Sequence, residues 1–273
     1  KSPYSTFHTY SLRYAFATSG FRANYRSEFI DVLGSWDIQV LGTAQSALYT
    51  SNFYGFGNES ENLEEELDLS DELEDDFYRV REQRIDVFPA LMRRFSEVSF
   101  FSVGPLYETI RIERTEGRFI DEIGDQINPD AFDGISYAGG QVHFSYHNFD
   151  DAAFPTLGLG LNLSASWRQA LNSDQEGLGI LEGSFSLVRN LDPNHRLVVA
   201  TRVGGKHLLN DDYFFFQAAT LGGIGPESNF RGFRRDRFTG RTSFYQNIDL
   251  RWKALESGNL TLPFSVGFQV GFD

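Results

Sequence analysis

Five arginines crowd the end of the longest stretch of the chain that shows no strand pattern. They are Arg231, Arg234, Arg235, Arg237 and Arg241. The stretch is either an ordinary exposed loop or a loop that folds inward, so that an arginine pairs with a carboxylate. The planar guanidinium fork favours bidentate pairing with carboxylates, and a buried charge without a partner is costly. Asp249 and Asp273, on the polar faces of the strands that follow, are the available partners.

A second candidate for chemistry is Ser145, which lies between His143 and His147. On a strand the two histidines share a face but stand about 13 Å apart at 3.3 Å per residue, so one metal ion cannot bridge them. No oriented acid or oxyanion element accompanies Ser145, as a serine nucleophile requires. We therefore expect lumenal histidines here, with no catalytic residue and no metal site.

An acidic run covers residues 59–76, with eleven carboxylates and no basic side chain. It could bind a divalent cation or a cationic partner, but its spacing matches no EF-hand loop. The simpler interpretation is a solvated surface loop.

Overall composition narrows the functional classes. Acidic residues outnumber basic ones by 38 to 24, so the formal net charge is -14, which argues against a general nucleic-acid binder. No cysteine is present to form a disulfide or a thiolate site. Aromatic residues make up 15% of the chain although the mean hydropathy is -0.34, which indicates finely interleaved apolar and polar residues. No run approaches the roughly 20 apolar residues of a membrane helix.

Strict alternation is the strongest signal for the fold. One face of a predicted strand carries Leu157, Leu159, Leu161, Leu163, Ala165 and Trp167, and the opposite face is polar or glycine throughout. Residues 259–273 alternate as cleanly. Soluble sandwiches also alternate, but these strands run to about 12–16 residues and their apolar faces end in aromatics, as membrane barrels require. The pattern predicts an all-β, antiparallel transmembrane β-barrel of the outer-membrane type.

The patterning divides the chain into eleven predicted strands. They cover residues 7–18, 20–33, 36–50, 76–89, 95–114, 134–148, 157–170, 177–190, 195–206, 242–255 and 258–273. Long loops near 51–75, 115–133 and 207–241 are expected on the extracellular side. Because the alternation stops in mid-pattern at Asp273, we expect residues 1–273 to form a single, incomplete barrel domain that lacks terminal strands.

Four motifs together resemble the BamA/TamA superfamily, which includes two-partner-secretion transporters and bacterial surface antigen barrels. Arg231-Gly232-Phe233 resembles the (V/I)RG(F/Y) loop motif, with Leu221-Gly222-Gly223 ahead of it. The stretch from Asp150 to Gly158 resembles the D-x-x-x-F-P-T-x-G periplasmic turn through Asp150, Phe154, Pro155, Thr156 and Gly158. Residues 52–58 are similar to an N-F-F-G-x-G-N element, and 271–273 to the start of F-x-D-x-G, although Gly271 replaces the first aromatic.

The resemblance implies a barrel of about sixteen strands when complete. It also implies that Arg231 inserts into the lumen and pairs with Asp273, with Asp249 as second choice. The N-terminal half further resembles barrels fused to a calcineurin-like phosphoesterase, on Trp36-Asp37-Ile38 and residues 52–58. In that case an enzymatic domain would precede Lys1.

The expected function is non-enzymatic protein insertion or translocation at the outer membrane of Gram-negative bacteria, without a cofactor. Expected partners are outer-membrane lipids and lipopolysaccharide, unfolded outer-membrane or secreted proteins, and accessory assembly proteins. Two alternatives stay open at this point. One is a passive pore whose lumenal charges set selectivity. The other is a barrel that anchors or exports a fused enzyme.

Overall fold

The structure, a computed structural model of the chain, describes residues 5–60, 76–194, 196–223, 228–257 and 264–273. Fourteen strands lie within these ranges: β1 (Thr6–Ala15), β2 (Gly20–Leu33), β3 (Trp36–Gln45), β4 (Ser51–Asn52), β5 (Arg79–Ser96), β6 (Ser99–Glu113), β7 (Ile135–Phe149), β8 (Gly158–Ala170), β9 (Leu178–Asn190), β10 (Leu197–Leu208), β11 (Ala219–Leu221), β12 (Phe238–Gly240), β13 (Thr242–Ser257) and β14 (Phe264–Phe272). Short helical turns cover Phe119–Glu122, Gly124–Gln126, Asp130–Asp133 and Phe215–Gln217. No helix in the described ranges is long and apolar enough to span a membrane.

The long strands form one antiparallel sheet in which each strand pairs with the next long strand along the chain. Its order is β1-β2-β3-β5-β6-β7-β8-β9-β10-β13-β14, with β4 added at β5. Strands β11 and β12 form a separate two-stranded sheet between β10 and β13. The predicted all-β, antiparallel fold is thus confirmed, and the eleven long strands match the eleven predicted. Over the residues described the sheet is not closed into a ring.

One hairpin lies elsewhere than the sequence predicts. Strand β5 was expected to end at residue 89, but it continues to Ser96 and turns into β6 after Val98. Pairing with β3 continues past Pro89 to Met92, although proline cannot donate to a sheet ladder. Here Pro89 stands level with Pro105 of β6 in the β5–β6 register, so neither residue leaves an N–H unpaired at that point.

The connections between successive strands emerge alternately at the two ends of the sheet. Short turns join β2 to β3, β5 to β6, β7 to β8 and β9 to β10, and we call this side the short-turn end. The connections after β1, β3, β6, β8 and β10 emerge at the opposite side, which we call the long-loop end because it carries the long connections after β3, β6 and β10. Residues 61–75, most of the predicted acidic loop, lie outside the described ranges.

The apolar face of the sheet is its exposed outer face. Trp167 is 50% exposed, Phe244 69% and Phe272 76%, and exposed apolar side chains continue along β1, β5 and β14. Soluble monomers rarely expose contiguous apolar patches above a few hundred Å². The exposure therefore fits a surface that meets something other than water.

The opposite, inner face is largely polar, and several of its charges are paired. Arg84 Nε donates to Glu82 at 2.7 Å, and Glu108 accepts from both Arg84 and Arg168. Arg94 pairs with Asp37 nearer the short-turn end. Pairing is expected because a buried charge without a partner is strongly destabilising.

At the long-loop end, apolar side chains from the loops pack over the inner face. Phe53 stacks on Phe215 with ring centroids 4.5 Å apart, and both rest against buried Ile110, Ile112 and Ile120. We call this assembly, built from the described parts of segments 46–60, 114–134 and 209–241, the cap.

Candidate functional site: the arginine loop and its seat

The segment between β10 and β13 lies against the inner face of the sheet. Lys206, on β10, anchors its first part, because Lys206 Nζ donates to the carbonyl oxygens of Gln217 and Ala218 at 2.8 Å each. The segment then forms β11 and runs on to Arg231. These two bonds fix the start of the segment, so that the residues after Ala218 begin from a defined position on the inner face.

Arg231 lies against two carboxylates, which we call the seat. Its Nη1 donates to Asp249 Oδ1 at 2.7 Å, and its Nε donates to Asp273 Oδ1 at 2.8 Å. Nη2 also contacts Asp273, and the backbone N–H of Arg231 donates to Asp273 Oδ2 at 2.6 Å. One residue thus satisfies both carboxylates, as a bidentate guanidinium can.

The strand register explains why both carboxylates are within reach. Asp249 of β13 pairs with Gly271 of β14, so Asp273 is its diagonal neighbour on the same face. Diagonal neighbours stand about 7–8 Å apart at Cα, a gap that one guanidinium can fill. Only 13% of the Asp249 side chain and 9% of the Asp273 side chain are exposed.

Gly271 leaves the room that the guanidinium occupies. A Cβ placed there would stand 2.6 Å from Asp249 Oδ1 and 2.9 Å from Arg231 Nη2. A side chain at this position would therefore compete with Arg231 for the same space.

Neighbouring side chains hold the loop in shape around Arg231. The Asn229 side chain accepts from the N–H of Gly222 at 3.0 Å and donates to Thr220 O at 2.8 Å. The backbone carbonyl of Asn229 accepts from Asn247 Nδ2 of β13 at 3.2 Å. Gly232 has a φ of +84°, a value that favours glycine. On either side of Gly232 in the sequence, the rings of Phe230, Phe233 and Phe238 pack together.

The first long loop grips the arginine loop from the other side, in a contact that we call the clasp. Asn52 Nδ2 donates to Arg235 O at 2.9 Å, and Gly57 N donates to Thr239 O at 2.8 Å. Arg237 donates to Ser60 Oγ at 2.8 Å, and its guanidinium lies 5.2 Å from the ring centroid of Tyr54. Sequence reasoning singled out both segments but gave no sign that they touch.

We expect Arg237→Gln to loosen the seat from a distance, because it removes the cation that stacks on Tyr54 and bonds Ser60. Hydrogen exchange of a peptide spanning residues 229–235 should accelerate about threefold to tenfold, as the N–H of Arg231 leaves Asp273 more often. A peptide from β8 serves as the internal control. Unchanged exchange at 229–235 would show that the seat is independent of the clasp.

The turn from Asp150 to Gly158 lies at the short-turn end, where its Pro155 lines a cavity together with Arg231 and Asp249. Asp150 Oδ1 accepts from the N–H groups of Thr156 and Leu157, and Oδ2 accepts from Thr156 Oγ1 at 2.5 Å. A Cβ on Gly158 would stand 2.4 Å from Asn148 O, so only glycine fits. Pro155 is half-buried and Phe154 is 77% exposed.

These bonds make the turn sensitive to acid. The Thr156 hydroxyl, followed by the N–H of Leu157, lowers the pKa of Asp150 to about 2. Because this folded-state pKa lies below the unfolded value of about 4, the bonds stabilise the turn above pH 4 and are lost as the pH falls toward 2. Exchange of residues 151–157, corrected for intrinsic rates, should rise across that window and be flat in Asp150→Asn. A pH-independent wild type would contradict the assignment.

The remaining candidates of the sequence do not assemble into a reactive group. Ser145 Oγ donates to Asn162 Oδ1 at 3.0 Å, and His147 bonds the same amide. His143 packs edge-on against Phe100. Among the residues that the structure describes, no group of three or more His, Asp or Glu side chains could hold a metal ion.

With this geometry in place, the fold can be compared with solved structures. The barrel of BamA from Haemophilus ducreyi lacking POTRA domains 1–3 matches 94% of this chain with a TM-score of 0.62 and 15% sequence identity. The fold is similar to that of BamA. This chain spans about half, 52%, of that BamA chain. Neither a family model nor a curated protein matches the sequence, so the likeness to BamA rests on the course of the backbone.

Proposed function

We propose that this chain forms the membrane-spanning part of an outer-membrane barrel that inserts or translocates other proteins. The observation that carries the proposal is the arginine of an inward loop lying against Asp249 and Asp273, in a fold similar to that of BamA. A loop with the Arg-Gly-Phe sequence in this arrangement is what the resemblance to the BamA/TamA superfamily implies.

The outer face of β5 supports a place in the membrane. Between Gln83 and Arg93 its outward residues are Ile85, Val87, Pro89 and Leu91, and three of these are exposed apolar side chains. Ten residues span about 33 Å along a strand, and a tilt of 35–45° reduces that to about 25 Å. This is the height of the apolar band of outer-membrane barrels. The long-loop end is then extracellular and the short-turn end periplasmic.

The mechanism proposed for such barrels is the addition of substrate strands at a weak seam between the first and last strands. The sequence has no nucleotide-binding motif, so substrate folding and burial would supply the free energy. The arginine loop would steady the wall during this exchange. Partners in this proposal are unfolded outer-membrane or secreted proteins, accessory assembly proteins and the surrounding lipids, and no catalytic group or cofactor is assigned to the chain.

The cap favours this function over a permanently open pore, because Phe53, Phe215 and Ile120 pack together over the inner face. Two measurements on the purified protein in liposomes separate the functions. We expect faster insertion of a denatured test barrel than in empty liposomes, with little steady ion conductance. Large steady conductance without faster insertion would instead identify a pore.

A further inference from the structure

An arginine on the outer face lies among aromatic rings at the short-turn end. Arg93 of β5 alternates with Met92, which is 1% exposed on the inner face, so Arg93 points outward. Its guanidinium carbon lies 5.7 Å from the ring centroid of Trp36 on β3 and 6.0 Å from that of Phe95. Phe101 of β6 stands directly across from it in the register.

No carboxylate among the described residues neutralises the charge of Arg93. The nearest inner carboxylate on β3, Asp37, is taken by Arg94 on the other face of the sheet. Within the described ranges Arg93 forms no ion pair, and its contacts there are with the two rings. Ring faces engage the plane of a guanidinium and leave its N–H donors free in that plane.

The position of Arg93 in the membrane determines which acceptors its guanidinium N–H groups can reach. Arg93 follows the apolar residues of β5 at the edge of the 25 Å band proposed above, where lipid headgroups begin. Long cationic side chains at that level direct their charge to the interface, and aromatic rings settle beside them. Phosphate oxygens accept from two N–H groups of one guanidinium.

We propose that Trp36, Arg93 and Phe95 form a binding site for the phosphate of an anionic glycerophospholipid in the periplasmic leaflet. The site rests on the proposed membrane placement of the barrel. Arg93 binds the phosphate, while Trp36 and Phe95 hold the guanidinium and contact the upper acyl carbons.

The test uses Trp36 as its own reporter. Trp167→Phe and Trp252→Phe leave Trp36 as the sole tryptophan, since the chain has three. The protein is reconstituted in phosphatidylcholine vesicles with increasing brominated phosphatidylglycerol, or with brominated phosphatidylcholine for comparison. Quenching of Trp36 then gives the relative affinity of the two lipids beside it. Circular dichroism verifies that each variant is folded.

We expect phosphatidylglycerol to be preferred about fivefold, equivalent to the roughly 1 kcal/mol that one basic residue gains from anionic lipid. Arg93→Gln should bring the preference near unity, and Arg111→Gln, which removes an outward arginine at the opposite end of the same hairpin, should leave it intact. An unchanged preference in Arg93→Gln, with quenching still present, overturns the lipid site but not the membrane placement. Absence of quenching by either lipid overturns both.

Discussion

Arg231→Ala should lower the rate at which a test barrel inserts into liposomes at least tenfold, while the strand content measured by circular dichroism stays nearly constant. The substitution removes the cation that Asp249 and Asp273 share, so that Asp273 loses its ion pair and Asp249 keeps only Arg251, 3.4 Å away. Breaking a buried pair costs about 3–5 kcal/mol, and partial exposure of Arg231 reduces that to about 2–3 kcal/mol. This is enough to release the loop without unfolding a sheet of this size.

Two further variants make the result specific. Arg231→Lys keeps the charge but loses the fork that reaches two carboxylates, so an intermediate rate is expected. Arg235→Ala is the matched control from the same loop, because its side chain is 60% exposed and pairs with the adjacent Asp236 at 3.6 Å, away from the two seat carboxylates. Its carbonyl, which accepts from Asn52, is kept in the variant. Full activity in Arg231→Ala would remove the loop from the mechanism.

Gly271→Val should have nearly as large an effect, although the residue has no functional group. Its side chain would occupy the space of the guanidinium, since even a Cβ stands 2.6 Å from Asp249 Oδ1 and 3.1 Å from Arg231 Nη1. The insertion assay and hydrogen exchange at residues 229–235 both report the displacement. Gly140→Val is the matched control, because the nearest atom to its Cβ would be 3.7 Å away.

The double variant Arg231→Ala, Gly271→Val shows whether the two changes act through one contact. If valine acts by expelling Arg231, the double variant should be no slower than the slower single variant, since neighbours that share a contact are not additive. If the two reductions in insertion rate multiply in the double variant, Gly271→Val acts on the barrel independently of Arg231.

The extended parts of this fold could be read from the sequence because alternation reports directly on a strand with two unlike faces. From Leu157 to Trp167 the pattern runs unbroken, and β8 lies there. The predicted end of β5 at residue 89 was wrong because pairing with β3 continues to Met92.

The seat and the clasp were harder to anticipate because they depend on residues far apart in the chain. Alternation put Asp249 and Asp273 on polar faces, but it could not show that they are diagonal neighbours, which requires the register of β13 against β14. The bond from Asn52 to Arg235 joins residues 183 positions apart. The sequence pattern does not predict a contact over such a separation. The role of Gly271 in leaving room for the Arg231 guanidinium could be recognised only from the structure.

The proposed function requires that the outer face of the sheet contacts lipid while the inner face contacts water. The chain has no cysteine, so single cysteines can be placed at each position from 159 to 166 of β8 and labelled in vesicles with a water-soluble maleimide. Labelling should alternate, low at 159, 161, 163 and 165 and high at 162, 164 and 166, whereas position 160 is buried against Phe149 and does not enter the comparison. Uniform labelling, or high labelling at the leucine positions, would contradict the membrane barrel.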